Sequence, residues 1–142
     1  MKNIVHSITT TVFVCAGTVQ VLAGDGGGID EQYSFDTPSH NMCCTYTPAG
    51  GTNVYSTPDG SAELSCSRIQ PKYWTVSLTE KGKFKIYKNP GEVPGCGNQD
   101  IIAYGETRRD GAFKCTSKTS GLTCTVHGKG FTLSKAGLKT LN

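Results

Sequence analysis

No stretch of this chain repeats apolar residues at the spacing of a helix face, which argues against a helical or an α/β domain. There is no Cys-x-x-Cys pair, so the usual paired-thiolate zinc site is not on offer. No His-Glu-x-x-His run occurs and no serine sits in a glycine elbow, which removes two common hydrolase signatures. Past residue 22, no segment is apolar enough to cross a membrane. Histidine is scarce: three in 142 residues, and only His40 and His127 beyond the first 23.

What the chain does hold is clearest in Ile101–Gly137, where Cys115 and Cys124 flank Ser120-Gly121. Phe113, Phe131 and Leu133 alternate with polar residues there, the pattern of a disulfide-stapled β-hairpin followed by a further strand. The start of the chain has a different character. Lys2 precedes an apolar, small and threonine-rich run over Ile4–Leu22, and Val21-Leu22-Ala23 supplies a small-residue cleavage site. Residues 1–23 therefore read as a secretory signal peptide; His6, Gln20 and the threonines make the run too polar for a spanning helix. The residues before Cys15, Phe13-Val14, are not the small ones that lipid attachment prefers. A secreted or periplasmic protein is expected.

Cleavage removes Cys15 and leaves an even set: Cys43, Cys44, Cys66, Cys96, Cys115 and Cys124. In an exported chain six cysteines imply a disulfide framework. Cys115 and Cys124 are expected to pair across their hairpin. Cys66 pairs back to Cys44 or to Cys43, leaving the other for Cys96. A bond between Cys43 and Cys44 themselves would strain the peptide between them. Residues 24–31 read as a flexible leader; Asp25 and Asp30 among glycines lack the further ligands of a calcium loop. Residues 32–142 then form one domain.

Short strands separated by turn residues are expected at Tyr33–Asp36, Met42–Tyr46, Ala62–Ile69, Thr75–Leu78, Lys83–Tyr87, Ile101–Tyr104, Ala112–Ser117, Leu122–Val126 and Gly130–Leu133. Asn89–Asn98 is too rich in Pro and Gly for anything but loop. Ser134 is placed to cap a single helical turn over Lys135–Leu138. The expected fold is all-β, a small disulfide-stapled antiparallel barrel or sandwich with one short C-terminal helical turn.

The motifs SFDTPSHNMCC (Ser34–Cys44), AYGETRRDGAFKCTSKTSGLTC (Ala103–Cys124) and HGKGFTLSKAG (His127–Gly137) resemble those of a family of short exported bacterial proteins of unknown function. That pattern is Phe-x-Ser-Pro-Ser-x-Asn-x-x-Cys, a Tyr-Gly, Gly-x-Phe-x-Cys-x-Ser with Gly-Leu-x-Cys, and a closing Gly-Phe-x-Leu-Ser. Phe35, Pro38, Ser39, Asn41, Cys44, Tyr104, Gly105, Phe113, Cys115, Cys124, Phe131 and Ser134 are among the matches, with Thr37 where serine is usual. The resemblance spans nearly the whole domain and implies a secreted or periplasmic β domain. It carries over no catalytic residues.

A hydrolase would have to assemble its site from Asp36, Ser39, His40 and His127. On a strand, adjacent Ser39 and His40 would point to opposite faces. No cofactor and no catalytic metal is expected. Charge favours binding instead. Gly24–Pro71 carries one basic and six acidic residues, a net of −5, whereas Lys72–Asn142 carries twelve basic and five acidic, a net of +7. Lys83 and Lys85 share one face of a strand, and Arg108 and Arg109, with Lys114, Lys118 and Lys129, extend the basic field. Such a field is either a solvated face whose lysines protect strand edges or one that attracts an anionic envelope polymer, lipopolysaccharide or an acidic protein; nucleic acid is not expected. Tyr73 and Trp74 serve either the core or a binding surface. The sequence thus points to a non-enzymatic binding or inhibitory module, with a small secreted hydrolase as the alternative.

Overall fold

A computed structural model describes residues 31–89, 91, 96–98 and 100–142. The expected signal peptide, and all of the leader but Glu31, lie outside the described residues. The described chain contains ten strands and no helix. They are β1 (Tyr33–Asp36), β2 (Met42–Thr47), β3 (Glu63–Arg68), β4 (Trp74–Thr79), β5 (Phe84–Lys88), β6 (Thr107–Asp110), β7 (Phe113–Lys118), β8 (Gly121–Val126), β9 (Lys129–Ser134) and β10 (Gly137–Leu141). Each half is an antiparallel meander: β1 to β5 form one five-stranded sheet and β6 to β10 the other. The sheets pack face to face on one core, which draws Phe35, Leu64, Val76 and Leu78 from the first and Phe113, Leu122, Phe131 and Leu133 from the second.

The two meanders repeat each other row by row. Across the first sheet run Phe35, Cys44, Cys66, Val76 and Ile86; across the second run Arg108, Cys115, Cys124, Phe131 and Thr140. In both, a cystine joins the second and third strands and points into the core. Disulfides link Cys44 to Cys66 and Cys115 to Cys124 with Cα separations of 4.0 and 4.1 Å. Those short separations mark closely spaced, non-hydrogen-bonded pairs. Pair types alternate along and across an antiparallel sheet, so in the next row the close pairs fall between strands one and two and between strands three and four. Hydroxyls occupy that row in both sheets. Ser34 bonds Thr45 at 2.8 Å and Ser77 bonds Ser65 at 2.9 Å. Thr107 bonds Thr116 and Thr123 bonds Thr132, each at 2.9 Å. Lys85 and Lys139 end the two rows.

The third disulfide, Cys43–Cys96, ties β2 to the segment that crosses between the sheets. With Cys43 so engaged, Cys66 takes Cys44, the first of its two expected partners. Each bridge contributes about 2–4 kcal/mol by restricting the unfolded chain. Three such bridges indicate a chain that folds in an oxidising compartment. Among the described residues no helix is long and apolar enough to cross a membrane.

Two sequence expectations need correction. The helical turn over Lys135–Leu138 is not formed: a tight turn at Lys135-Ala136 leads into β10, with Ser134 Oγ donating to the Gly137 carbonyl. One isolated helical turn has no cooperativity to sustain it, whereas strand pairing sets Leu138 opposite Leu133 and against the core. Ile101–Tyr104 is not a strand but a single parallel bridge from Ile101 to Asp36. It closes the free edge of β1 through Asp36 N–H to Asp100 C=O and Ile102 N–H to Asp36 C=O. The strand in this region is β6, which begins three residues after Tyr104.

Between the sheets, Arg68 is 2% exposed and donates to the carbonyls of Lys72, Ser134 and Lys135. Its guanidinium also lies over the Trp74 ring. Burial pushes its pKa below the ordinary guanidinium value. Tyr73 is buried and Trp74 half-buried, the latter also facing Lys88. Tyr73 therefore serves the core, while Trp74 serves to hold two cations.

Candidate functional site

Since Cys44, Cys66 and Val76 point inward, their neighbours along each strand point outward. This alternation sorts the expected basic residues. Lys85 lies in the outer row with Ser77 and Ser65, and Lys83 follows in the next outer position beside Thr79. Arg109 pairs with Lys114 on the outer face of the other sheet. Arg108 points inward at the sandwich edge, its guanidinium over the rings of Tyr33 and Phe35. The structure therefore joins Lys83 with Lys85 but separates both from Arg109, and it takes Arg108 out of the solvent-facing set.

Arg108 is a structural cation. Its Nε donates to both oxygens of buried Asp110 at 2.8 and 3.1 Å, and its Nη1 to Asp100. Partial burial would lower its pKa, but the Asp110 and Asp100 carboxylates outweigh that and hold it above the ordinary guanidinium value. With Asp110 neutralised inside, the outer face of the second sheet carries no carboxylate among the described residues. Residues 107–142 contain no other acid. Arg109, Lys114, Lys118 and Lys139 stand on that face, all exposed. Between them run the part-exposed threonines Thr116, Thr123, Thr125 and Thr132. Only tight turns join β7 to β8 and β8 to β9, at Thr119-Ser120 and His127-Gly128, so among the described residues no connection of any length covers the face.

The first sheet presents a different exterior. Residues 48–62, linking β2 to β3, fold back toward the outer face, where Tyr55 Oη donates to Glu63 Oε1 at 2.8 Å. Gly51 permits the fold: at φ +91° it sits so close that a Cβ would fall 2.0 Å from the Tyr55 carbonyl oxygen. Asp59 fixes the other limb, accepting from Ser61 N–H, Ser61 Oγ and Thr79 Oγ1. These bonds, Ser61's first, lower the Asp59 pKa to about 2. Partial burial and the Glu63 carboxylate push the Tyr55 hydroxyl up to about 12.

The residues named for a hydrolase come together only in part. His40 Nδ1 lies 2.8 Å from Asp36 Oδ2, and Asp36, wholly buried, also accepts from Asn98 N–H and Nδ2. Ser39 lies in the β1–β2 turn rather than on a strand, and its Oγ contacts Thr37 Oγ1 and Asn41 N–H, not the imidazole. His127 sits in the β8–β9 turn, 3.6 Å from Glu80 in the β4–β5 turn. Successive turns of a meander alternate ends, which puts Glu80 and His127 at the end of the sandwich away from His40. No nucleophile–base pair forms among these four residues.

Two sulfur-rich groupings have ligand atoms within 4.8 Å: Cys44, Cys66 and Cys124, and Asp36, Cys43 and Cys96. Every cysteine in them is in a disulfide, so neither offers a thiolate to a metal.

Comparison of the chain with protein-family models, with curated proteins and with solved structures gives no match.

Proposed function

We propose that this protein is an exported, non-enzymatic binding module of the bacterial envelope. In this reading the outer face of β6–β10 holds an anionic polymer such as the phosphate-bearing part of lipopolysaccharide. One observation carries the reading: Arg109, Lys114, Lys118 and Lys139 stand on one uncovered face without a carboxylate among them. Like charges on a β face repel unless something neutralises them, and a polyanion does so along its length. The threonine hydroxyls between the cations supply neutral donors for phosphate oxygens. The disulfide framework and the resemblance to short exported bacterial proteins support an extracytoplasmic, secreted or periplasmic, setting.

The test is retention of the protein on immobilised lipopolysaccharide at rising salt. Wild type is expected to be held at low ionic strength and released steeply toward physiological salt, because surface charges are screened beyond about 8 Å there. Changing Arg109, Lys114, Lys118 and Lys139 together to glutamine should abolish retention with the fold intact by circular dichroism. All four must change because single exposed charges contribute little. Equal retention of the variant, or none by wild type, would reject the reading.

A further inference from the structure

We propose that the opposite exterior, the outer face of β1–β5, holds a second and separate site: a cleft for an oligosaccharide. The cleft, about 410 Å³ and shallow, open to solvent along its length, is lined by Tyr55, Tyr87, Glu63, Ser65, Ser77 and Lys85, together with threonine hydroxyls of β2 and β4. That volume is within the range of small-ligand sites. It runs on into a neighbouring hollow that shares Glu63, Ser77 and Lys85 and adds Lys83.

The lining has two chemical halves. Tyr55 and Tyr87 are both exposed, at 41% and 46%, and present aromatic surface to solvent. Their rings are rigid and amphipathic, suited to the C–H face of a sugar ring at small entropic cost. Between them the floor is hydroxyls and one carboxylate, which match the sugar's hydroxyl rim. Glu63 is the decisive residue. It is 4% exposed and touches no cation in any salt bridge among the described residues, though Lys83 and Lys85 line the same hollow. Burying a carboxylate without a countercharge is costly. Oε1 accepts the Tyr55 hydroxyl, and Oε2 remains for a ligand hydroxyl, a charge-assisted bond stronger than a neutral one.

The second sheet shows that the frame does not require any of this. The position equivalent to Glu63 is Gly121, and the connection equivalent to residues 48–62 is the Thr119-Ser120 turn. Carboxylate and covering loop are features of the first sheet alone. Among the described residues one carboxylate lines the cleft, so they do not assemble the pair used for glycoside hydrolysis, and the site proposed is one that binds sugar without cleaving it.

The experiment is calorimetric titration of the protein with cellotetraose, N-acetylated chitotetraose and maltotetraose, neutral sugars that the cations of the second sheet do not attract. At least one is expected to bind at millimolar concentration or better. Tyr87→Ala, at an exposed position, should weaken that binding about tenfold or more, and Glu63→Gln should do the same where it folds. The glutamine variant of Arg109, Lys114, Lys118 and Lys139 should bind sugar like wild type, which separates this site from the polyanion face. Binding by none of the three, unaltered affinity in Tyr87→Ala, or loss of sugar binding in the second-sheet variant would each overturn the proposal.

Discussion

Ser34, Thr45, Ser65 and Ser77 in the first sheet and Thr107, Thr116, Thr123 and Thr132 in the second occupy equivalent rows, bonded in the same pairs. Around the first row a long connection folds back, a carboxylate is buried and two tyrosines stand at a cleft. Around the second no described connection intervenes, and the neighbours are cations. The inner rows differ less: Leu64 answers Leu122, Leu78 answers Leu133, and each sheet has its cystine. Packing constrains the inward residues to fit one shared core, whereas outward residues answer only to solvent and to partners. The difference between the exteriors is therefore where function should be sought.

Removing a cystine should have the largest effect on that shared frame. Replacing Cys44 and Cys66 by alanine is expected to cost about 2–5 kcal/mol. The same change at Cys115 and Cys124 should cost about 0.8 kcal/mol less, since it closes a separation of 9 residues rather than 22. Urea unfolding of both variants measures this. A greater loss from the Cys115–Cys124 pair would mean that the second sheet is more than the counterpart of the first.

The two faces of β6 offer a sharper contrast. Arg108→Leu leaves buried Asp110 without its cation and should cost about 3 kcal/mol. Arg109→Leu, one residue away and facing solvent, should stay within about 0.5 kcal/mol. Similar thermal unfolding of the two variants would contradict the assignment of Arg108 inward and Arg109 outward.

The smallest effect concerns the connection that only the first sheet possesses. The Asp59 pKa is depressed in the fold, so its contribution to stability is present above about pH 4 and is lost as pH falls toward about 2. Wild type should lose stability through that window more steeply than Asp59→Asn, by urea midpoints at successive pH values. Parallel curves would show that Asp59 does not hold residues 48–62 in place.

Much of the frame was legible in the sequence because alternation and turn residues agree there. Phe113, Cys115 and Ser117 alternate with Lys114 and Thr116, and all three fall on the inner face. β6 escaped detection because its inward residues are Arg108 and Asp110: an ion pair stands where an apolar residue would have signalled a strand. β10 escaped because a serine before a short polar segment reads equally as a helix cap. The repeat of the two sheets was hidden by unequal connections and by rows whose members share polarity more than identity. The basic field was visible as composition. Which lysine faces which way depends on register, and register becomes readable only once the strands are paired.

The central claim is that equivalent rows on the two sheets face different partners, and NMR titration with short-chain inorganic polyphosphate tests it most directly. This probe carries the negative charge of an envelope polymer and no sugar. The account predicts amide shift changes concentrated on Arg109, Lys114, Thr116, Thr123, Thr132 and Lys139, fading with added salt, while Ser65, Ser77 and Tyr87 stay still. Shifts spread equally over both outer faces, or centred on the first sheet, would contradict it.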